Sequence, residues 1–486
     1  MNPHRNRPRR GSGLAQLAPA LLAAPLLWAC AVGPDFAPPA PPLAQRYGAA
    51  PGEAASAVAA GVAQQFVTGP LPARWWSGYG STQLDGWVAE GLEHNRDLQA
   101  LRAALTAAQE QLRARIGATE LPSVQAQLQA SRQRAVGLPG FGPATNVYQL
   151  YAGVVGVSYD LDMFGAVRRA NEAASADVQA QAEEWTAARQ MLAANIVVTA
   201  IESAALGQQV QTQERIVQLA QQRADLAERR YTLGAAPHRD ALDARRAARD
   251  AAAGLPALQL RWGRTRNALA LLLGRLPQDA PPDLDFEQLR LPAEVPLALP
   301  SALVQVRPDI RAAEAALHAA TARLGLATAN LFPQITLTGS YGSESFRRAS
   351  FLHSPTTVWG VGGALLQPLF EGGALRAGRR AADADLDAAV QRYQQTVLKA
   401  FGNVGDALLA LQTDARVLAD NLDAEGAAEQ LYREAARRHE QGAESMPAVL
   451  ASEQQWLLAR QTRIAGAQAR MVDTAGLFQA LGAPDS

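Results

Sequence analysis

Few residues in this chain could build a reactive site. Its 486 residues include one cysteine, six histidines and a single lysine, Lys399. One cysteine excludes an intramolecular disulfide and a multi-cysteine metal site. His4, His94, His238, His318, His353 and His439 stand at no metal-ligand spacing, and no HExxH segment occurs. No P-loop (GxxxxGKS or GxxxxGKT) and no GxSxG elbow is present. The glycines of Gly360-Val361-Gly362-Gly363 fall in a strand-like segment, without the strand-to-helix setting of a nucleotide fingerprint. His238-Arg239-Asp240 is the one cluster worth naming, and it fits a helix cap or tip better than catalysis. The expectation is a protein that is not an enzyme and uses no cofactor and no metal.

The lone thiol carries chemistry of another kind. A basic head with Arg5, Arg7, Arg9 and Arg10 precedes an apolar run from Leu14 to Trp28. That layout marks residues 1–29 as a secretory signal, and the run is too short to span a bilayer comfortably. Leu27-Trp28-Ala29-Cys30 resembles the bacterial lipobox, in which cleavage precedes the cysteine and its thiol is acylated. Cys30 is therefore the expected lipidation site. By the same resemblance, Val32 rather than Asp after Ala31 favours the outer membrane.

Arginine and lysine together number 45 and balance 45 acidic residues, which gives no support to nucleic-acid binding. Aromatics make up only 6%, and with abundant alanine that fits long helices better than a bulky enzyme core. Residues 30–73 read as a Pro/Ala-rich tether that proline holds extended. The body begins near Trp75-Trp76, an aromatic pair expected to pack where the tether meets the first helix.

Internal comparison is more informative than motif search. Leu121-Pro122 returns as Phe332-Pro333, and Phe164 with Arg168 returns as Phe370 with Arg376. Arg229–Gly234 (RRYTLG) returns as Arg437–Gly442 (RRHEQG), and Leu271–Gly274 (LLLG) as Gln479–Gly482 (QALG). The order is kept, so the sequence reads as two copies, residues 74–276 and 301–486, joined by the proline-rich 277–300. Each copy is expected to run helix, two strands, very long helix, shorter helix. In the first these are 96–120, about 123–133 and 151–161, 168–231 and 239–273. In the second they are 308–330, about 334–343 and 358–369, 374–439 and 446–481.

The long helices lack proline and would each extend on the order of 95 Å. Val397, Phe401, Val404, Leu408, Leu411, Ala415, Leu418 and Leu422 repeat with a seven-residue period, which predicts coiled-coil packing. Ile196, Ser203, Val210, Val217, Ala224 and Tyr231 give the first copy a similar seam of smaller residues.

The strand candidates alternate. Val124, Ala126, Leu128 and Ala130 oppose Gln125, Gln127, Gln129 and Ser131, while Ile335, Leu337, Gly339 and Tyr341 oppose Gln334, Thr336, Thr338 and Ser340. Their lengths approach those of membrane-spanning strands. A sheet in a bilayer cannot leave its edges unpaired, and four strands are too few to close around a channel. If the strands span a membrane, several chains must share one barrel: three copies give twelve strands, and two give eight, with an interior mostly filled by side chains.

With these elements in hand, the sequence resembles the outer-membrane efflux channel family of the TolC/OprM type, in its lipid-anchored branch. The matching words are Leu27-Trp28-Ala29-Cys30, Val32-Gly33-Pro34-Asp35-Phe36, Arg307-Pro308-Asp309-Ile310-Arg311, Ala329-Asn330-Leu331-Phe332-Pro333 and Gln367-Pro368-Leu369-Phe370 with Gly372-Gly373. The resemblance implies a mainly α protein with membrane β: an elongated homotrimer, its twelve-stranded barrel continued by a periplasmic α-helical barrel. It also implies a periplasmic adaptor and an inner-membrane pump of the RND type as partners, besides outer-membrane lipid. The alternative reading is the periplasmic adaptor itself, another exported coiled-coil protein, though one hairpin rather than two would suit it.

The resemblance further implies an aromatic-x-x-Gly turn at the periplasmic tip of each long helix, with carboxylates beyond it narrowing the pore. Tyr231 and Gly234, followed by Asp240 and Asp243, match. The second copy has His439 and Gly442, with Ala448 and Ala451 where relatives often carry Asp and Pro447 at a gate-like position. Asp240, Asp243 and Glu444 are accordingly the candidate gate, and Tyr231, Gly234, His439, Gly442 and Pro447 the candidate tip turns and adaptor contacts.

Overall fold

The structure, a computed structural model, describes residues 31–40, 58–59, 62–67, 69, 71–136, 145–296, 300–351 and 356–482. Helices α1 (Thr82–His94) and α2 (Arg96–Glu120) lead into strands β1 (Ser123–Val136) and β2 (Thr145–Leu161), then α3 (Ala166–Thr232) and α4 (His238–Leu272). After a short α5 (Pro300–Val306) come α6 (Pro308–Ala329), β3 (Gln334–Ser345), β4 (Thr357–Leu366), α7 (Ala374–Glu440) and α8 (Met446–Ala480). Both α3 and α7 have 67 residues, and both α4 and α8 have 35. The protein is mostly helical with a few strands.

Local chemistry sets the helix starts. The Ser81 hydroxyl accepts the Leu84 N–H at 3.2 Å, and Asn95 Oδ1 accepts that of Leu98 at 3.0 Å, capping α1 and α2. The Asp162 carboxylate accepts the N–H groups of Val167 (3.0 Å) and Arg168 (2.9 Å) at the head of α3. Pro308 opens α6 at a position where no N–H is needed. Pro256 lies inside α4 without ending it.

The chain divides into two compact units. The first comprises the described residues up to Pro38 with Thr106–Ala180 and Glu314–Arg392. It holds one antiparallel sheet in the order β1-β2-β3-β4. In this register Ala126, Val155, Tyr341 and Trp359 form one row, and Val124, Val157, Gly339 and Val361 the next. Strand β4 ends at Leu366, short of the expected 369, because Pro368 has no N–H to give a ladder. In the other direction, β1 and β2 extend their hairpin to Val136 and Thr145, beyond the expected 133 and 151.

The second unit comprises the described residues of Pro39–Leu105, Gln181–Ala313 and Tyr393–Ser486. Val397, Val404, Leu408, Leu411, Ala415 and Leu418 of α7 are buried, and so are Ile196, Ser203, Val210 and Ala224 of α3. Val217 is only half-buried and Tyr231 is exposed, while Ile216 and Leu219 take the core positions. An α-helix drifts about 20° per heptad from a strict seven-residue repeat, so the buried stripe shifts along α3.

Segments expected to be a free tether are packed. Gln65–Val67 pairs in parallel with Glu294–Pro296, and Gln64 is buried between Pro292, whose carbonyl accepts from its amide at 3.1 Å, and Arg470. Arg470 is fully buried; its Nε donates to Gln64 Oε1 at 2.7 Å, and a second nitrogen donates to the Leu411 carbonyl. Burial first, and then the neighbouring Asp473 carboxyl, push Asp414 up to about 7 against the opposing charge of Arg470. Trp75 stacks on Phe478 at 5.1 Å, and the Tyr79 hydroxyl donates to the Met471 carbonyl at 2.7 Å. A Pro/Ala-rich composition hides these few buried side chains, each of which has a specific partner.

Candidate functional site

Two regions carry residues of functional type: the sheet in the first unit and the helix tips in the second. Strand alternation sorts the sheet residues by face. One face carries Val124, Ala126, Leu128 and Ala130 of β1, Val155, Val157 and Leu161 of β2, Ile335, Leu337 and Tyr341 of β3, and Trp359, Val361 and Leu365 of β4. The other carries Gln125, Gln127, Ser158, Asp160, Thr336, Thr338 and Ser340. The apolar face is uncovered: Leu128 is 82% exposed, Trp359 74% and Val361 83%. Between these rows lies a shallow hollow of about 490 Å³ lined by Val155, Val157, Tyr341, Trp359 and Val361. A soluble sheet buries such a face; here it lies open.

Among the described residues, strands β1 and β4 each have a single neighbour, which leaves one edge of each unpaired there. Next to the β4 edge, Leu369 (93% exposed) and Phe370 (89%) have no apolar cover. Their counterpart in sequence order is different: Phe164 stacks on Phe332 at 4.9 Å with the rings 19° apart.

Beside that stack the chain after Cys30 is held against α3 and α6. Val32 N–H donates to the Phe164 carbonyl at 3.1 Å, and Gly33 (φ +100°) abuts Gly325. Asp35 pairs with Arg169 at 2.5 Å, Arg169 with Glu172 at 2.8 Å, and Glu172 with His318 Nε2 at 2.9 Å. Phe36 stacks on His318 at 4.4 Å. Burial works to raise the Glu172 carboxyl, but the hydrogen bonds from His318 and Arg169 outweigh it and hold Glu172 below its ordinary value. The sequence marks Val32 to Phe36 as a word but not these partners, because Arg169, Glu172 and His318 lie more than a hundred residues away. Cys30 itself lies outside the described residues.

At the tips, the long helices end in the same way twice. Gly234 (φ +70°) donates to the Tyr231 carbonyl at 2.9 Å while Ala235 N–H reaches the Arg230 carbonyl at 2.8 Å. Gly442 (φ +74°) donates to the His439 carbonyl at 2.9 Å, and Ala443 N–H reaches that of Arg438 at 2.8 Å. Both are left-handed glycine caps, which disfavour any residue with a Cβ. Tyr231 packs against His238 with ring centroids 4.5 Å apart, and His439 Nδ1 meets the Glu444 carbonyl at 2.8 Å. Pro447 lies in the first turn of α8.

Asp240 and Asp243 come together, both exposed, on the wall of a cavity of about 320 Å³ shared with Arg223, Ala244 and Gln454. Asp243 also lies 3.6 Å from Arg239, and Arg223 donates to Gln454 Oε1 at 2.7 Å. Glu444 is not in that wall. Its carboxylate turns back onto its own turn, accepting the Ser445 N–H at 3.1 Å and lying 3.8 Å from Arg438. Arg223 is the residue that sequence reading missed here; on a helix rich in arginine nothing distinguished it.

Comparison with known proteins matches this arrangement. The family model for outer membrane efflux protein fits residues 87–275 and again 299–483. The outer membrane protein OprJ of Pseudomonas aeruginosa is 30% identical over 95% of this chain and 95% of its own. The probable efflux pump outer membrane protein TtgC of Pseudomonas putida is 29% identical, covering 94% and 93%. The open-state MtrE outer membrane channel of Neisseria gonorrhoeae superposes with a TM-score of 0.76 at 25% identity, over 94% of this chain and 99% of that one. These relatives are channel proteins, and they lend no support to the adaptor reading. Helical length, the sheet with its uncovered apolar face and the two family matches lead to one conclusion: the chain belongs to the outer membrane efflux protein family.

Proposed function

We propose that this protein is the outer-membrane conduit of a tripartite efflux system, receiving substrates from an inner-membrane pump, of the RND type, through a periplasmic adaptor. It catalyses no reaction and conducts passively. The observation that carries the reading is the four-stranded sheet with one apolar, uncovered face and two unpaired edges. Open edges in hydrocarbon cost several kcal/mol per unsatisfied group, so the wall must close on further copies. Three chains give twelve strands, with β4 of one copy against β1 of the next, and the long helices continue as a periplasmic tunnel. The repeated element order supports a tandem duplication, with 74–276 and 301–486 as its copies. If the copies are alike, the Phe164–Phe332 stack within the chain has a counterpart between chains, Phe370 against Leu121 of the neighbouring copy.

Residues 1–29 act as a signal and Cys30 carries the lipid in this reading. The tight seating of Val32 to Phe36 supports an anchor held near the ends of the strands. Asp240 and Asp243, with Glu444 as a more distant third, form the charged constriction, and the Tyr231–Gly234 and His439–Gly442 turns with Pro447 meet the adaptor.

Native mass spectrometry of detergent-extracted protein tests the assembly. Three copies are expected for wild type, and Phe370→Ser with Leu121→Ser should shift the population toward smaller species. A stable wild-type monomer with full strand content would overturn the shared barrel.

A further inference from the structure

The uncovered face of the sheet does not end with its apolar band. Alternation puts Arg132 and Arg134 on the same face of β1 as Val124 to Ala130, one and two steps further on, opposite Gln149 and Val147 of β2. Both side chains are exposed, and Arg134 spends only its Nε, on the Thr145 hydroxyl at 3.2 Å. The chain after β3 folds over this same face. Ser345, opposite Tyr151, donates to the Arg347 carbonyl at 2.9 Å and meets the Ser350 hydroxyl at 2.9 Å. The Phe351 ring covers Gly153 beside Leu128, lying 3.0 Å from where a Cβ would stand. That segment brings Arg347 and Arg348, both exposed, to the rim.

No carboxylate accompanies them. The stretch from Leu121 to Tyr159 contains no acidic residue, and Asp160 lies at the opposite end of β2. Glu344 pairs in register with Ala152 and so points to the other face. From Leu161 to Tyr151 the apolar band spans ten residue steps along β2, about 25 Å of height for a strand tilted as barrel strands are. The arginines stand just above that height, at the end remote from the helices.

We propose that this rim binds the phosphate groups of an anionic glycolipid in the outer leaflet, whose acyl chains lie against the apolar face below. The inference rests on the reading of the sheet as a membrane wall. Guanidinium forks match phosphate oxygens in pairs, and at an interface with little competing water such contacts hold better than in bulk solvent. A free phosphate ion would make no use of the apolar surface directly beneath the arginines; a phosphorylated lipid uses both.

The test uses full-length protein extracted from the outer-membrane fraction. One variant carries Arg132→Ser, Arg134→Ser, Arg347→Ser and Arg348→Ser, and a second carries lysine at the same four positions. Retention of bis-phosphorylated lipid A, of its dephosphorylated form and of inorganic phosphate is compared by native mass spectrometry and binding titration. Wild type should prefer the bis-phosphorylated lipid by about tenfold to a hundredfold, the serine variant should lose that preference, and the lysine variant should keep a smaller part of it, having the charge without the fork. The preference should also weaken as salt rises. Equal retention by wild type and serine variant would overturn the proposal. Inorganic phosphate alone, bound at low millimolar concentration and lost in the serine variant, would replace the lipid with a free anion and overturn it too. Failure of the wild type to enter the outer membrane would strike at the membrane reading itself, whereas inserted protein without phosphate preference overturns the rim alone.

Discussion

Gly33 and Gly325 approach so closely that a Cβ built on Gly33 would lie 2.5 Å from the Gly325 Cα. Gly33 also has φ +100°, which L-residues other than glycine rarely adopt. Gly33→Ala should therefore release the segment that follows Cys30, at a cost of about 1–3 kcal/mol. Hydrogen exchange should report more than tenfold faster exchange at Val32 and its neighbours, with α7 and α8 unchanged. Unaltered protection at Val32 would mean that the close approach is not what holds the segment.

The same segment should respond to acid. Glu172 is held below its ordinary carboxylate value, so the docking it supports is complete above the unfolded value of 4.5 and is lost as pH falls through the lower folded value. Proteolysis of the N-terminal segment between pH 6 and pH 3 should accelerate only in the acid part of that range. Glu172→Gln should flatten the profile.

Orientation of the sheet gives a paired test. Leu337 is on the apolar face and Thr338, its neighbour, on the polar one. Leu337→Arg should impair membrane insertion by up to about 2–4 kcal/mol near the midplane. Thr338→Arg should insert nearly as well as wild type. Equal effects would reject the assignment of faces.

Asp414 supplies a stability test in the helical unit. Burial raises its folded value to about 7 from 3.8, so the native state holds a proton there that the unfolded chain releases. Stability from this group is therefore greatest below pH 4, and declines as pH rises toward 7. Asp414→Asn should raise Tm by a few degrees above pH 7, with the gain vanishing at low pH. A gain independent of pH would point to packing instead.

Much of this was legible in the sequence because period and punctuation were clear. Steps of four and three from Val397 to Leu418 mark side chains that are buried, Phe401 alone being half-buried, and Gln127 beside Leu128 marks the two faces of β1. Gly234 and Gly442 announce the tips through a conformation that only glycine takes readily. Other features depend on long-range partners. Asp35 sits in a proline-rich stretch and Gln64 in an alanine-rich one, and neither composition signals burial, yet Arg169 and Arg470 bind them across the fold. A strict heptad predicts Val217 for the seam of α3, but the helix turns by 3.6 residues, so Ile216 and Leu219 replace it in the core. Glu444 stood near Asp240 and Asp243 by analogy of position, but its carboxylate closes on its own turn.

The most direct test of the channel is its conductance in planar bilayers. Purified wild type should insert and conduct weakly at rest, with preference for cations and block by multivalent cations, because rings of carboxylates attract them. Asp240→Asn, Asp243→Asn and Glu444→Gln together should raise the conductance and weaken both the cation preference and the block. Inserted protein that carries no current, as wild type and as the triple variant alike, would contradict the account of this chain as an efflux conduit.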